Sequence, residues 1–266
     1  MNPQEMPLRK PVVAGQFYPG SREQLGRTVR EMAIQVPKAR ALGIMVPHAG
    51  YVYSGPVAGE VFASVELPHA FVILGPNHTG IGPPASIMAA GSWQMPDGDV
   101  PVDGELAAAI LSHSGVLAAD AAAHANEHSI EVQLPFLQNL AGEFRFVPIC
   151  LMAGDPVSCR DVGHAIAAAV RDADEPVLVV ASSDMTHYES SEEAERKDKI
   201  AIERMLELDA DGLLETVAEN RISMCGYAPA AAMLHACREL GAGSARLVRY
   251  TTSGDVSGDY DQVVGY

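Results

Sequence analysis

Residues 42–55 read LGIMVPHAGYVYSG, and this stretch decides the fold of the chain. It opens with a short apolar segment, residues 42–46, that is typical of a buried strand. His48 follows on the turn that leaves the carboxyl end of that strand, and Ser54 followed by Pro56 predicts a helix start. Open α/β sheets bind their ligands at the carboxyl ends of the strands. The stretch therefore predicts a strand–turn–helix unit that holds His48 at a binding edge.

Two more apolar segments end in the same way. Residues 70–74, AFVIL, precede a polar turn that contains His78. Residues 177–181, VLVVA, precede a turn that contains His187. A lone histidine is usually a hydrogen-bonded core or surface residue, but three at equivalent strand ends favour one shared site. Because histidine is the commonest metal ligand, the pattern predicts a transition-metal pocket at one end of the central sheet. The alternative is a set of separate turn histidines.

The remaining sequence alternates between strand-like and helix-like patterns. Further strands are predicted at residues 85–89, 144–151 and 246–252, with an edge strand near the C-terminus. Helices are predicted at residues 21–33, 56–64, 103–113, 129–140, 157–171, 189–208 and 209–220, with a last helix between Pro229 and Gly241. This alternation indicates a single α/β domain over residues 1–266, with a central mixed or mostly parallel sheet flanked by helices.

Composition excludes several classes of partner. The 266 residues carry a net charge of −16, which argues against nucleic acid and against anionic membrane surfaces. The four cysteines form no CxxC pair and no disulfide framework, which fits a reducing cytoplasm. Residues 1–6 are polar and lack the apolar core of a signal peptide. We therefore expect a cytoplasmic protein with no nucleic-acid or membrane partner.

Cys225 is a candidate for the same pocket. It lies just before a predicted helix, where the helix dipole and the free amides favour a thiolate. A thiolate could bind a metal or act as a nucleophile, and the alternative is a small buried hydrophobic residue. Cys150 lies on a predicted strand and Cys237 on an apolar helix face, so both are expected in the core.

The third turn also carries a carboxylate. Asp184 and His187 lie three residues apart, and such a pair could move a proton or orient a ligand. Alternatively, Asp184 caps the following helix and His187 is exposed. A weaker signal is the acidic segment around His128, where Glu131 could hydrogen-bond a metal-bound imidazole or bind the metal itself. A solvated helix start explains that segment as well.

Taken together, these motifs resemble the Memo family, component B of the AmmeMemoRadiSam system of bacteria and archaea. The matching segments run in family order: residues 13–19 (VAGQFYP), 47–55 (PHAGYVYSG), 75–78 (GPNH), 127–131 (EHSIE), 182–187 (SSDMTH) and 225–226 (CG). The resemblance implies the fold of the class III extradiol dioxygenases, which is one α/β domain with a non-haem metal pocket.

The resemblance also implies a ligand set. His48, His78 and Cys225 would hold the metal, which is expected to be iron or copper, with zinc as the alternative. Asp184 and His187 would line the pocket as catalytic residues. Further residues expected around the metal are Glu131, His128, Asn77 and Tyr53.

The implied function is a redox or dioxygenase-like metalloenzyme acting on an unknown small-molecule or peptide ligand. One alternative is a metal-dependent scaffold that works with radical SAM and AMMECR-type partners, and a weaker one is a zinc hydrolase.

The sequence differs from its relatives at two positions of the site, and each difference limits which activity can be carried over. The dioxygenases bind iron through two histidines and a carboxylate, whereas the third ligand that the resemblance implies here is Cys225, which argues against ring cleavage. A carboxylate from Glu131 or Asp184 is the alternative, but the family pattern does not support it. Tyr227 stands where eukaryotic relatives carry arginine, so their phosphotyrosine binding is not carried over.

Overall fold

A six-stranded sheet forms the centre of the molecule, and most of its strands are the apolar segments named above. The computed structural model describes residues 7–152 and 154–266, so the polar segment of residues 1–6, used above to expect a cytoplasmic location, lies outside the described residues. The described strands are β1 (Leu8–Arg9), β2 (Gly43–Val46), β3 (Ala70–Pro76), β4 (Ala85–Ile87), β5 (Ser92–Trp93), β6 (Val100–Pro101), β7 (Ala118–Ala119), β8 (Arg145–Leu151), β9 (Val177–Ser182), β10 (His187–Glu189) and β11 (Val263–Val264).

The helices cover both faces of this sheet. They are α1 (Arg22–Met32), α2 (Tyr51–Ala63), α3 (Gly104–His113), α4 (Leu134–Leu140), α5 (Pro156–Arg171), α6 (Ser191–Leu206), α7 (Ala210–Glu219), α8 (Tyr227–Glu239) and α9 (Gly254–Ser257). Two short 3-10 turns, Ala122–His124 and Glu131–Gln133, flank an irregular segment before α4.

The order of the central strands is β2-β9-β3-β8-β4-β7. The first four are parallel, β4 is antiparallel to β8, and β7 is parallel to β4. The prediction of an α/β fold with a mixed, mostly parallel sheet is confirmed. A smaller pairing joins β10 to β11, which is the predicted edge strand near the C-terminus.

The two faces of β3 show how the core is divided. Val72 and Leu74 pack with the buried residues of α3, α5, α7 and α8, whereas Phe71 and Ile73 pack with those of α1, α2 and α4. Successive side chains of a strand point to opposite faces, so a strand covered on both sides must be apolar throughout. This explains the continuous apolar run AFVIL.

The start of the helix predicted at residues 56–64 is wrong. Helix α2 begins at Tyr51 rather than near Pro56, and Pro56 lies inside the helix. The amide of Tyr51 donates to the carbonyl of Phe17 at 2.8 Å, which satisfies a free N–H group of the first turn. The side chain of Ser54 donates to the carbonyl of Ala49 instead of capping the helix. A contact distant in sequence therefore sets the helix start.

The predicted strand at residues 246–252 is also wrong, because the chain there forms no regular ladder. Side chains hold it in place. Tyr250 donates to the buried carboxylate of Asp198 at 2.8 Å, and Thr252 forms an isolated bridge with Gly265. Within the described residues, no helix combines the length and the apolar character that crossing a membrane requires.

The parallel pairing brings three turns to one edge of the sheet. In register, Val46 pairs with Ser182 and Leu74 pairs with Ala181, so β2, β3 and β9 end side by side. The turns that carry His48, His78 and His187 leave from these ends. The edge therefore holds all three histidines.

The contact between α1 and α2 gives a test of the packing. A Cβ atom on Gly59 would lie 2.6 Å from the carbonyl oxygen of Met32, a backbone atom that cannot move aside cheaply. Ala is normally the better helix residue, yet we expect Gly59→Ala to destabilise the protein by about 1–3 kcal/mol. For a chain of this size, thermal unfolding should shift down by roughly 2–10 °C. The control is Gly243→Ala, where nothing lies within 4 Å. A Gly59→Ala protein as stable as this control would contradict the packing.

Candidate metal centre

Three side chains converge where the turns after β2 and β3 meet the start of α8. One ligand atom from each of His48, His78 and Cys225 lies within 4.8 Å of the other two. Nε2 of His48 is 3.2 Å from Sγ of Cys225. The rings of His48 and His78 meet edge to face, with centroids 5.3 Å apart. The structure therefore brings together the three residues that the resemblance implies as ligands.

His48 is buried, and its surroundings fix its tautomer. Its Nδ1 lies 2.9 Å from the hydroxyl of Ser182. That hydroxyl already donates its hydrogen to the carbonyl of Ser129 at 2.6 Å, so it must accept a hydrogen bond from Nδ1–H of His48. Nε2 is left with its lone pair facing Cys225. Burial lowers the pKa of His48 well below its usual value, and the imidazoles of His128 and His78 lower it further, so the ring is neutral.

His78 is held by a carboxylate. Glu127 is fully buried, and it accepts from the His78 amide at 2.6 Å and from His78 Nδ1 at 3.0 Å. It also accepts from the amides of His128 and Ser129, both at 2.9 Å. Burial raises the pKa of Glu127, but the hydrogen bonds and charge of His78, together with the amide of Ser129, outweigh it and lower the pKa to about 2. Because an ionised carboxylate only accepts, Nδ1 of His78 carries a proton, which leaves Nε2 as the ring nitrogen that could bind a metal. The hydrogen bond to Glu127 also raises the pKa of His78, so a metal at Nε2 would compete with a proton there.

The acidic segment thus contributes Glu127 rather than Glu131. Glu131 forms a buried ion pair with Arg9 and accepts from the Tyr18 hydroxyl at 2.6 Å. The amides of Val12 and Val13 also donate to it. Its carboxylate is fully used away from the converging ligand atoms. Sequence reasoning named the wrong glutamate because both lie in the segment EHSIE, and spacing does not show which one faces the histidines.

His128 does lie at the site. Its ring stacks on His78 with centroids 4.9 Å apart, and it meets His48 edge to face at 5.6 Å. Burial lowers the pKa of His128, so the neutral ring is favoured. The ring of Phe17 meets that of His128 edge to face, with centroids 5.1 Å apart. The side chain of His128 is 25% exposed and that of His78 is 36% exposed, so the site has an open side.

Cys225 has a different environment from the one expected. It lies two residues before α8, but its thiol points towards His48 and the main chain of Asp184. Burial raises the pKa of the Cys225 thiol well above its usual value, and the charge of Asp184 raises it further. Burial therefore opposes the thiolate that the helix N-terminus was expected to favour. Nε2 of His48, 3.2 Å away, is placed to accept a hydrogen bond from the thiol. The other three cysteines are buried, as predicted for Cys150 and Cys237.

Asp184 and His187 lie beside Cys225 but do not form the expected pair. One ligand atom from each of the three lies within 4.8 Å of the others. Asp184 accepts from the amides of His48 at 2.7 Å and Ala49 at 3.2 Å. Nδ1 of His187 lies 2.7 Å from the carbonyl of Met185, which can only accept. Main-chain carbonyl groups, rather than Asp184, therefore orient His187 with Nε2 free.

Asn77 and Tyr53, the remaining two residues predicted around the metal, differ from each other in their surroundings. The side chain of Asn77 accepts from the amides of Thr79 and Gly80 and donates to the carbonyl of Ile81, so it stabilises the turn that carries His78. Tyr53 lies in the first turn of α2 and is partly exposed. Sequence reasoning missed Ser182, although it is the last residue of β9 and directly precedes the third turn.

The donor set fits a transition metal. His48 and His78 each present a free Nε2, because a fixed acceptor holds the Nδ1 proton. Imidazole nitrogen and thiolate sulfur suit iron, copper and zinc. Three protein donors with an open side match the general form of a catalytic metal site, since structural sites are closed by four ligands.

Comparison with known proteins agrees with this geometry. The family model described as "Memo: Memo-like protein" matches residues 9–266. The MEMO1 family protein MK0963 of Methanopyrus kandleri is 46% identical over 273 residues, which cover 97% of this chain and 96% of the relative. A MEMO1 family protein of Pyrobaculum arsenaticum is 43% identical over 274 residues, 98% of each chain.

Among solved structures, the uncharacterized protein JW3007 from Escherichia coli K12 is similar with a TM-score of 0.49 and 13% sequence identity, over 80% of this chain and 91% of that chain. The family match spans the turns that carry His48 and His78 as well as Cys225. With a family model over nearly the whole chain and relatives above 40% identity, the chain belongs to the Memo family.

Proposed function

We propose that His48, His78 and Cys225 bind one transition-metal ion, iron or copper, and that the protein is a non-haem redox enzyme acting on a small substrate. The observation that carries the proposal is the convergence of the three donor atoms within 4.8 Å, with both imidazoles presenting Nε2. When bound, the metal would supply redox chemistry and a Lewis-acidic centre.

The open side of the site supports an enzyme over a purely structural metal site. His48 and Asp184 are buried and Cys225 is half-buried, whereas His78 and His128 are more exposed to solvent. A small molecule can therefore reach the donors from the side of His78 and His128. The stacked rings of His78 and His128 form a flat surface there, neutral or positively charged according to their protonation, against which such a substrate could pack.

We assign proton transfer to His187. Its Nδ1 proton is held by the carbonyls of Met185 and Ser223, at 2.7 and 3.0 Å, so Nε2 remains available to take up or release a proton near Cys225. Asp184 has a different role in this scheme. It holds the turn of His48 through two amide hydrogen bonds, and burial raises the pKa of its carboxyl group.

Metal content is the first test. Protein purified without oxygen should hold about one iron or copper ion per chain, with a visible or electron paramagnetic resonance signal from the metal–thiolate bond. Cys225→Ala and His48→Ala should each lose most of the metal. The control is Cys237→Ala, which removes a cysteine outside the cluster and should keep the metal. Stoichiometric, spectroscopically silent zinc would contradict the redox function and favour a hydrolase.

The role of His187 is tested separately. His187→Ala should keep the metal content of the wild type, because the residue is assigned outside the ligand set. It should slow dioxygen consumption, measured with ascorbate as reductant, by about 10²–10⁴-fold, the usual cost of losing a general acid or base. His235→Ala, far from the cluster and beside Asp211, is the control. If His187→Ala empties the site as fully as Cys225→Ala does, His187 is a ligand and the assignment fails.

A further inference from the structure

Arg9 is a buried arginine whose side-chain hydrogen bonds all lead to the segment that carries Glu127. It lies on β1 with 5% exposure, and its guanidinium group stacks over the ring of Trp93 at 4.2 Å. It forms a buried ion pair with Glu131. It also donates to the carbonyl of His124 at 3.1 Å and to that of Glu127 at 2.5 Å.

These contacts matter because the segment has little regular structure of its own. Residues 125–130 lie between two 3-10 turns and outside any helix. Arg9 supplies donors at both ends and in the middle of this stretch, through His124, Glu127 and Glu131. The residues after Arg9 reinforce it, because the amides of Val12 and Val13 also donate to Glu131. The position of the Glu127 backbone therefore depends on Arg9.

We propose that Arg9 is a positioning residue for His78 and acts through Glu127. The chain of contacts runs from the Arg9 guanidinium to the Glu127 carbonyl, and from the Glu127 carboxylate to both the amide and Nδ1 of His78. Through these bonds Arg9 keeps the Nδ1 proton on His78 and directs Nε2 into the cluster. The inference rests on the proposed function, because directing Nε2 has a purpose only if His78 binds the metal.

The shape of the guanidinium group, and not its charge alone, carries this role. Three nitrogens of Arg9 reach three different acceptors in fixed directions, on His124, Glu127 and Glu131. A lysine ammonium group can pair with Glu131 but cannot span the two carbonyl groups as well. Arg9→Lys therefore keeps the buried charge pair and removes the hold on Glu127.

The test compares Arg9→Lys with the wild type by titration with Co²⁺, followed through the absorption of the cobalt–thiolate bond. We expect the dissociation constant to rise by about 10–100-fold, as for other residues that orient a metal-bound histidine. Arg249→Lys, at a partly exposed ion pair with Glu60, is the control and should bind like the wild type. An unchanged dissociation constant in a folded Arg9→Lys protein would overturn the inference.

A double-mutant comparison separates positioning from general destabilisation. In a His78→Ala background, Arg9→Lys should cause no further loss of Co²⁺ affinity, because its effect passes through His78. An equal loss in both backgrounds would assign Arg9 a structural role only and overturn the inference. Should Arg9→Lys fail to fold, Glu131→Gln serves instead, since it keeps the size of the side chain and an acceptor while weakening the hold on Arg9.

A measurement on the protein without added metal distinguishes a failure of the proposed metal site from a failure of the proposed role of Arg9. In the wild type, ¹⁵N spectra should show the His78 proton on Nδ1, and in Arg9→Lys it should shift towards Nε2. If the wild type gives no cobalt band that depends on Cys225, the proposed metal function fails, and the tautomer of His78 alone decides whether Arg9 positions it. If the tautomer is the same in both proteins, the inference about Arg9 fails while the metal site can stand.

Discussion

The register between β2, β9 and β3 is the constraint on which the site depends. Val46 beside Ser182 and Leu74 beside Ala181 bring three chain turns to one edge, although the turns are distant in sequence. A shift of one residue in any of these strands would reverse which side chains face each helical layer. The apolar packing of both layers against β3 therefore also fixes where the histidines meet. The same burial that stabilises the sheet positions the candidate metal centre.

Around that edge, buried acceptors determine what the imidazoles can do. Nδ1–H of His48 donates to the Ser182 hydroxyl, that of His78 to the Glu127 carboxylate and that of His187 to the Met185 carbonyl, so in each ring Nε2 is the nitrogen left for a ligand or a proton. Burying a carboxylate is costly unless it is fully hydrogen-bonded. Glu127 meets this condition with four donors from three residues. The hydrogen bonds that stabilise the buried Glu127 carboxylate therefore also orient the ring of His78.

Much of this was predictable from the sequence, and the exceptions share a cause. The apolar strands and the turns after them gave the fold class and brought His48, His78 and Cys225 into consideration, because strand periodicity and turn residues are local signals. Three features depend on contacts between distant segments. Helix α2 begins where Phe17 accepts from Tyr51, Glu131 is held by Arg9, and residues 246–252 are anchored through Tyr250 instead of a ladder. No local pattern distinguishes Glu127 from Glu131, four residues apart in one segment.

The two sides of the cluster differ in a way that bears on how a substrate would enter. His48 follows β2 and Cys225 precedes α8; His48 is buried and Cys225 is half-buried, so they form the more enclosed side. His78 and His128 belong to irregular segments, remain partly exposed, and stack on each other. On the enclosed side, strand pairing and the amide hydrogen bonds to Asp184 hold the turn of His48. The open side cannot rely on regular structure without losing access, so its order must come from side-chain hydrogen bonds. That requirement explains why the buried contacts of Glu127 and Arg9 are concentrated beneath the exposed half of the site.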